Sequence, residues 1–193
     1  GMGAYCPPPI LSPNLEGKIM TEILEPTMHG LRKRGVEYKG VLFAGLMVKE
    51  NQPSLIEYNV RFGDPETQAL LMLKKSDFTE LLQETVNGNI KNYNLEWHKK
   101  RAITVVLANK GYPYQYTKDA EIYGINDAET NPNVKVFHAG TSMIDDTLTA
   151  TGGRVLNVTY VAETLDLARK RAYSAIEKIS YKVNKEFSEK YLA

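Results

Sequence analysis

The sequence predicts a mixed α/β fold of the α+β kind, with an antiparallel sheet and helices followed by a small α/β domain. Three observations predict it. Apolar residues recur at three- and four-residue steps over 14–34, 76–87 and 165–179, the period of helices lying on a core. Short apolar runs stand between them, at 41–48, 102–108, 134–139 and 154–161, as strands do. A polar, irregular stretch at 89–101 separates two such series. It reads as a linker between units of 1–88 and 102–193.

Each element has its own warrant. Pro7-Pro8-Pro9 is rigid and extended, as in a surface arm. Leu15, Ile19, Ile23, Leu24, Met28 and Leu31 mark one helix face, with Pro26 expected to break or bend it near the middle. Residues 38–48 read as a buried strand, because nearly every side chain is apolar. Lys49-Glu50-Asn51-Gln52-Pro53 is a polar turn, so a second strand at 54–62 runs back as a hairpin. Asp64 suits a helix N-cap, Pro65 the first helical position, and Glu66 the positive end of the helix dipole. Phe78, Leu81, Leu82 and Val86 share a face of the next helix, which Gly88 stops. In the last helix Leu165, Ala168, Ala172, Ala175, Ile176 and Ile179 point inward. The mixed-charge tail at 182–190 reads as a solvated helix face.

Composition removes several classes of function. Lys and Arg number 24 against 23 Asp and Glu in 193 residues, so a general electrostatic grip on nucleic acid is excluded. No stretch approaches the ~20 apolar residues needed to span a bilayer. The single cysteine, Cys6, makes neither an internal disulfide nor a cysteine-based zinc site, which points to a reducing, cytoplasmic setting. With no basic neighbour in sequence, its thiol is expected to be unreactive.

The strand at 54–62 carries the chemistry. Side chains alternate between faces, so Ile56, Tyr58 and Val60 are expected on a core face and Glu57, Asn59 and Arg61 on the other. That second face presents a carboxylate, an amide oxygen and a guanidinium about 7 Å apart. The two oxygens are hard ligands for a divalent cation, and the arginine can share phosphoryl charge. The competing reading is a solvated polar strand face. What tips the balance is the turn that follows, where Gly63, Asp64, Pro65 and Glu66 aim a helix start and two more carboxylates at the same place. Other candidates are weaker. His29 reads as a surface residue, and His98 has no evident partner. His138 reads as half-buried or as a substrate contact. Thr151-Gly152-Gly153-Arg154 is a flexible turn with a cation, able to let a phosphate approach the backbone.

Several stretches occur together in one order. They are Gly1-Met2-Gly3-Ala4-Tyr5, the strand at 41–47, Glu57-Tyr58-Asn59-Val60-Arg61-Phe62-Gly63-Asp64-Pro65-Glu66-Thr67-Gln68, Val136-Phe137-His138-Ala139-Gly140-Thr141 and Gly152-Gly153-Arg154-Val155-Leu156. Over essentially its whole length the chain resembles the C-terminal part of the phosphoribosylamine–glycine ligases (glycinamide ribonucleotide synthetases), an ATP-grasp family of purine biosynthesis. The resemblance implies the last part of an ATP-grasp domain over 1–88 and the C-terminal domain over 102–193. It implies ATP as co-substrate and Mg²⁺ or Mn²⁺ held by Glu57 and Asn59. Arg61, beside the phosphates or the acyl phosphate, and Asp64 would be catalytic. Gly63, Pro65, Glu66, His138, Gly153 and Arg154 would contact substrate.

The implied reaction phosphorylates glycine with ATP, and 5-phosphoribosylamine then attacks the glycyl phosphate. The resemblance also implies that the chain begins inside a longer protein. Its partner would then be the missing N-terminal part of the same enzyme, and the piece alone would be an inactive, cytoplasmic monomer. Cys6 stands where the family would have serine, and the tail after Ile179 departs from the family's more basic, aromatic ending. Two alternatives stay open: a non-catalytic binding module on an ATP-grasp scaffold, and another ATP-grasp ligase.

Overall fold

The apolar runs at 102–108 and 154–161 become the two central strands of a four-stranded sheet. In the computed structural model, which describes residues 1–116, 118–183 and 187–189, β1 is Gly3–Cys6, β4 is Arg101–Ala108, β6 is Val134–His138 and β9 is Arg154–Ala162. Their order is β1-β4-β9-β6, antiparallel throughout. Helix α3 (Glu66–Leu73) packs on β1, β4 and β9, and α6 (Leu165–Ile176) packs on β4 and β9. The faces separate by parity. Val105, Leu107, Val158 and Tyr160 join Ala168, Ala172 and Ile176, whereas Ala102 and Val161 join Ala69 and Leu73. A strand covered on both faces needs apolar groups at nearly every position, which is why these runs do not alternate. The two buried hydroxyls among them, Thr104 and Thr159, satisfy each other at 2.9 Å.

A five-stranded antiparallel sheet completes this first unit. It contains β5 (Ala120–Tyr123), β7 (Thr141–Ile144), β8 (Thr147–Ala150), β10 (Ser180–Val183) and β11 (Phe187–Glu189), ordered β11-β10-β5-β8-β7. The short helix α5 is Ile125–Ala128. Apart from the tail, these elements have four residues each, too few for periodicity to announce them. Strands β10 and β11 correct the helix expected over the tail; residues 184–186 and 190 lie outside the described residues.

The second unit holds the helices α1 (Pro13–Lys18), α2 (Glu25–Lys33) and α4 (Phe78–Asn87), with a two-stranded ribbon of β2 (Phe43–Lys49) and β3 (Gln52–Asn59). Pro26 does not break the first helix. Ile19–Leu24 form π-helical turns joining α1 to α2, and the wider turn makes room for a ring that lacks an N–H and would press on the preceding turn. The Thr27 hydroxyl lies 2.6 Å from the Tyr58 hydroxyl, tying α2 to β3. Residues Glu50 and Asn51, with φ of 52° and 60°, make the two-residue turn of the hairpin. At the end of α4, Gly88 takes the left-handed conformation expected of a stop, and Asp77 caps the start.

The compact units do not follow a single cut in the sequence. Gly1–Cys6 and Asp64–Leu73 belong with the residues from His98 on, while Pro7–Gly63 and Lys74–Trp97 form the other unit. The physical reason is pairing: β1 completes the β4 sheet edge and α3 covers its face. Gly3–Cys6 is therefore a strand. The stretch at 89–101 is likewise structured. Ile90–Asn92 is a 3₁₀ turn, Lys75 N–H donates to the Glu96 carbonyl at 2.9 Å, the two side chains pair at 2.7 Å, and Arg101 opens β4.

The ribbon departs from expectation in burial. Strand β2 is at most half-buried, and Ile56 and Val60 are 63% and 74% exposed. Glu57 pairs with Gly45 and Leu55 with Leu46, so Ile56 is an unpaired bulge residue that interrupts the alternation.

Candidate functional site

Two clusters arise from the candidate residues, one in each unit. In the ribbon, the Asn59 amide donates to Glu57 Oε1 at 3.1 Å, so the two candidate ligands stand together on an exposed strand end. Gly45 lies opposite Glu57, and a Cβ there would come within 3.2 Å of Glu57 Cγ. A side chain at 45 would press on the stem of Glu57, which would have to shift by a few tenths of an ångström. Strand β3 stops at Asn59, and Arg61 lies in the bend beyond it. Its guanidinium donates to the Phe62 carbonyl at 3.0 Å, which takes it out of the row that alternation had predicted. Phe62 packs against Phe78, ring centroids 5.7 Å apart, and Gly63 is buried.

The motif continues into the other unit. Asp64 is exposed, and Pro65, behind a cis peptide, is fully buried. Helix α3 starts at Glu66, so Pro65 sits in the turn before it and not at the first helical position. Asp64 is gripped at both oxygens. Gln68 donates to Oδ1 at 2.8 Å, and Arg154 lies 3.6 Å from Oδ2. Arg154 also donates to the Gly1 carbonyl at 3.2 Å, so the first residue and the two motifs converge. The Gln68 Oε1 atom is buried without a partner.

The Gly152-Gly153-Arg154 turn and the His138-to-Thr141 segment are stitched together. Ala139 N–H donates to Val155 O at 3.0 Å, and Gly140 N–H to Arg154 O at 2.9 Å. Thr151 and Gly152 N–H both donate to Gly140 O, at 2.8 and 3.1 Å. His138 is exposed at the end of β6, with Nδ1 3.0 Å from the Thr141 hydroxyl, so it is not half-buried. It borders a cavity of about 570 Å³ lined also by Ile122, Ile125, Asp127, Met143 and Leu148.

Two titrations bear on this unit. Burial pushes the Cys6 thiol up, only partly offset by the nearby Arg101 charge, which fits an unreactive thiol. Glu129 pays for partial burial. Bonds from Lys135 and the Val136 N–H, with the Lys135 and His138 charges, nonetheless hold its carboxyl below the usual range. Among the described residues no three His, Cys, Asp or Glu side chains gather as a metal cage.

Gln68 and Asn109 escaped the sequence reading. Gln68 carried a usable signal, since it stands four residues after Asp64 in a helix start. Asn109 carried none, because its partners lie 43 and 44 positions away.

Comparison with known proteins places these clusters in a family. The model of the phosphoribosylglycinamide synthetase ATP-grasp (A) domain matches residues 1–67, and that of the C domain matches 102–185. The phosphoribosylamine–glycine ligase of Brucella melitensis is 45% identical over 94% of this chain and 42% of its own length. That of Agrobacterium fabrum is 48% identical over 94% and 42%. The crystal structure of the Thermotoga maritima phosphoribosylamine–glycine ligase superposes with a TM-score of 0.80 at 33% identity, covering all of this chain and 45% of that one. The chain thus spans less than half the length of the curated relatives it matches. With both clusters inside segments that the two domain models match, the chain belongs to the phosphoribosylglycinamide synthetase family, of which it carries part of the ATP-grasp domain and the C domain.

Proposed function

We propose that this chain is the C-terminal portion of an ATP-dependent carbon–nitrogen ligase that joins glycine to 5-phosphoribosylamine, giving glycinamide ribonucleotide, ADP and phosphate. The observation that carries the reading is the pair of polar clusters: Glu57 with Asn59 inside the segment matched by the A-domain model, and Asp64 of that segment with Arg154 of the C-domain match.

Glu57 and Asn59 would hold a Mg²⁺ or Mn²⁺ ion through a carboxylate and an amide carbonyl, both hard oxygen ligands. Two protein ligands suit an ion that travels with a nucleotide. When bound, the ion neutralises and aligns the phosphates of ATP. Arg61 would swing from the Phe62 carbonyl to the transferring phosphoryl group, sharing its charge as the glycine carboxylate is phosphorylated. Arg154, held by Asp64, would meet the phosphate of the phosphoribosylamine, beside the Gly153 backbone. Gly63, Pro65 and Glu66 would contact substrate, and His138 would flank the amine as it attacks the glycyl phosphate.

The exposed apolar residues of the ribbon, Met47, Leu55, Ile56 and Val60, suit a sheet continued by the part of the relatives that this chain does not cover. Catalysis is assigned to that longer protein, acting as a monomer in the cytoplasm. Among the described residues no helix is long and apolar enough to cross a membrane.

The test uses the protein at the relatives' full length. Glu57→Gln keeps size and removes charge at an exposed position, so the melting temperature stays put. ADP formation falls by at least about a hundredfold, since losing even an outer-shell partner of a metal ligand costs about 10–100-fold. A near-wild-type rate would return the strand face to a solvated polar surface.

A further inference from the structure

Gly152 and Gly153 form a bend with no regular structure, yet its direction decides where the guanidinium of Arg154, the first residue of β9, emerges. What holds it is Asn109, the residue that follows β4, only 5% exposed. Its backbone N–H donates to Gly153 O at 2.8 Å, and its side-chain Nδ2 donates to Gly152 O at 2.7 Å. One residue therefore fixes two consecutive carbonyls. Since a peptide unit is planar, fixing both carbonyls fixes the two planes that flank Gly153. The bulge at the same place adds to the control: Leu107 pairs with Leu156 and Ala108 with Arg154, leaving Val155 as the extra residue. Such a bulge re-aims the side chain next to it.

Tyr112 closes the third side. Its ring atoms lie 2.4 and 2.7 Å from where a Cβ on Gly153 would be, so a side chain at 153 would force the ring to move. Tyr112 N–H donates to Asn109 O at 3.1 Å, so the residue that grips the turn also holds the loop that presses on it. Arg154 then leaves the turn toward Asp64 and Gly1 O.

We propose that Asn109 is a positioning residue that acts through Arg154 to set the affinity for the phosphosugar amine, without touching it. The inference rests on the assignment of Arg154 to that substrate's phosphate. The decisive experiment measures KM and kcat on the full-length protein for Asn109→Asp, Arg154→Ala and the double variant. Asp keeps the shape and the backbone N–H but replaces the Nδ2 donor with an oxygen that repels Gly152 O. The expected result is a rise of about tenfold in KM for the phosphosugar amine, the scale of one lost buried hydrogen bond. KM for ATP stays within about twofold, since Asn109 touches no group assigned to the nucleotide. The double variant is no worse than Arg154→Ala, because two residues acting through one contact are not additive.

A purely structural role for Asn109 predicts a loss of active enzyme with every KM unchanged, and that outcome overturns the proposal. So does an additive double variant. Should Asn109→Asp fail to fold, Asn109→Ser keeps the backbone donor with a smaller side chain and carries the same expectation. An unchanged KM in Arg154→Ala overturns the assignment of Arg154 itself, and the positioning role with it. A rise there with no rise in the Asn109 variants overturns the positioning role alone.

Discussion

Replacing Gly140 with alanine tests the crossing that holds the Arg154 turn, and it needs no assay of catalysis. A Cβ on Gly140 would lie 2.5 Å from Gly152 Cα, 2.6 Å from Arg154 O and 2.7 Å from Gly152 N. Carbon atoms in ordinary contact sit about 3.5–4.0 Å apart, so the segments must separate by about 1 Å. All three obstacles are backbone, and none can rotate away. That displacement stretches the bonds from Gly140 N–H to Arg154 O and from Thr151 and Gly152 N–H to Gly140 O, now 2.8–3.1 Å, beyond useful length. Water replaces part of the loss, because both glycines are half-exposed. Overpacking and weakened hydrogen bonds together give roughly 2–4 kcal/mol of destabilisation. The measurement is urea unfolding of the chain followed by circular dichroism. Gly30→Ala, inside α2 with nothing within 4 Å of its new Cβ, serves as the control and gains about 0.5–1 kcal/mol. A Gly140→Ala chain that unfolds at the wild-type urea concentration would show the two segments are not packed as described.

Other expectations follow from burial and charge. Ile56→Ala and Val60→Ala, at 63% and 74% exposed positions, change the stability of the chain by no more than about 0.5 kcal/mol. Leu156→Ala, at a fully buried position, costs about 2–5 kcal/mol, and equal losses in the same urea series would place the ribbon residues in the core after all. Glu129 has a depressed folded-state carboxyl, held by Lys135 and the Val136 N–H. Its contribution is therefore present above the unfolded carboxyl range and lost as pH falls through the folded one. Unfolding curves of wild type and Glu129→Gln should converge in acid, and a gap that persists there would remove the charge from the account.

What could be read from the sequence depended on how far apart the interacting residues stand. Glu57 and Asn59 are two positions apart on one strand, and period two brought them together on paper as it does at 3.1 Å in space. The helices expected over 76–87 and 165–179, found at 78–87 and 165–176, were legible because apolar steps and the Gly88 stop are local; the caps Asp77 and Thr164 were not read. Alternation names two faces of a strand without saying what covers either. For that reason Ile56 and Val60 were placed in a core that these units do not build around them. A bulge at Ile56 broke the parity, and no residue type announces it. The first strand was hidden by its length of four residues and by a partner, β4, nearly a hundred positions away. The same limit governs the site. Gly152, Gly153 and Arg154 were visible as a motif, but the groups that give the turn its direction are Asn109, Tyr112 and Gly140. Asn109 and Tyr112 look ordinary in their loop, and Gly140, though inside a quoted motif, gives no sign in sequence that it meets Gly152. A glycine pair is loose in isolation; here two donors from Asn109, the Tyr112 ring and the Gly140 backbone hold it. Its rigidity thus comes from residues that carry no chemistry themselves, and Arg154 depends on them for its aim.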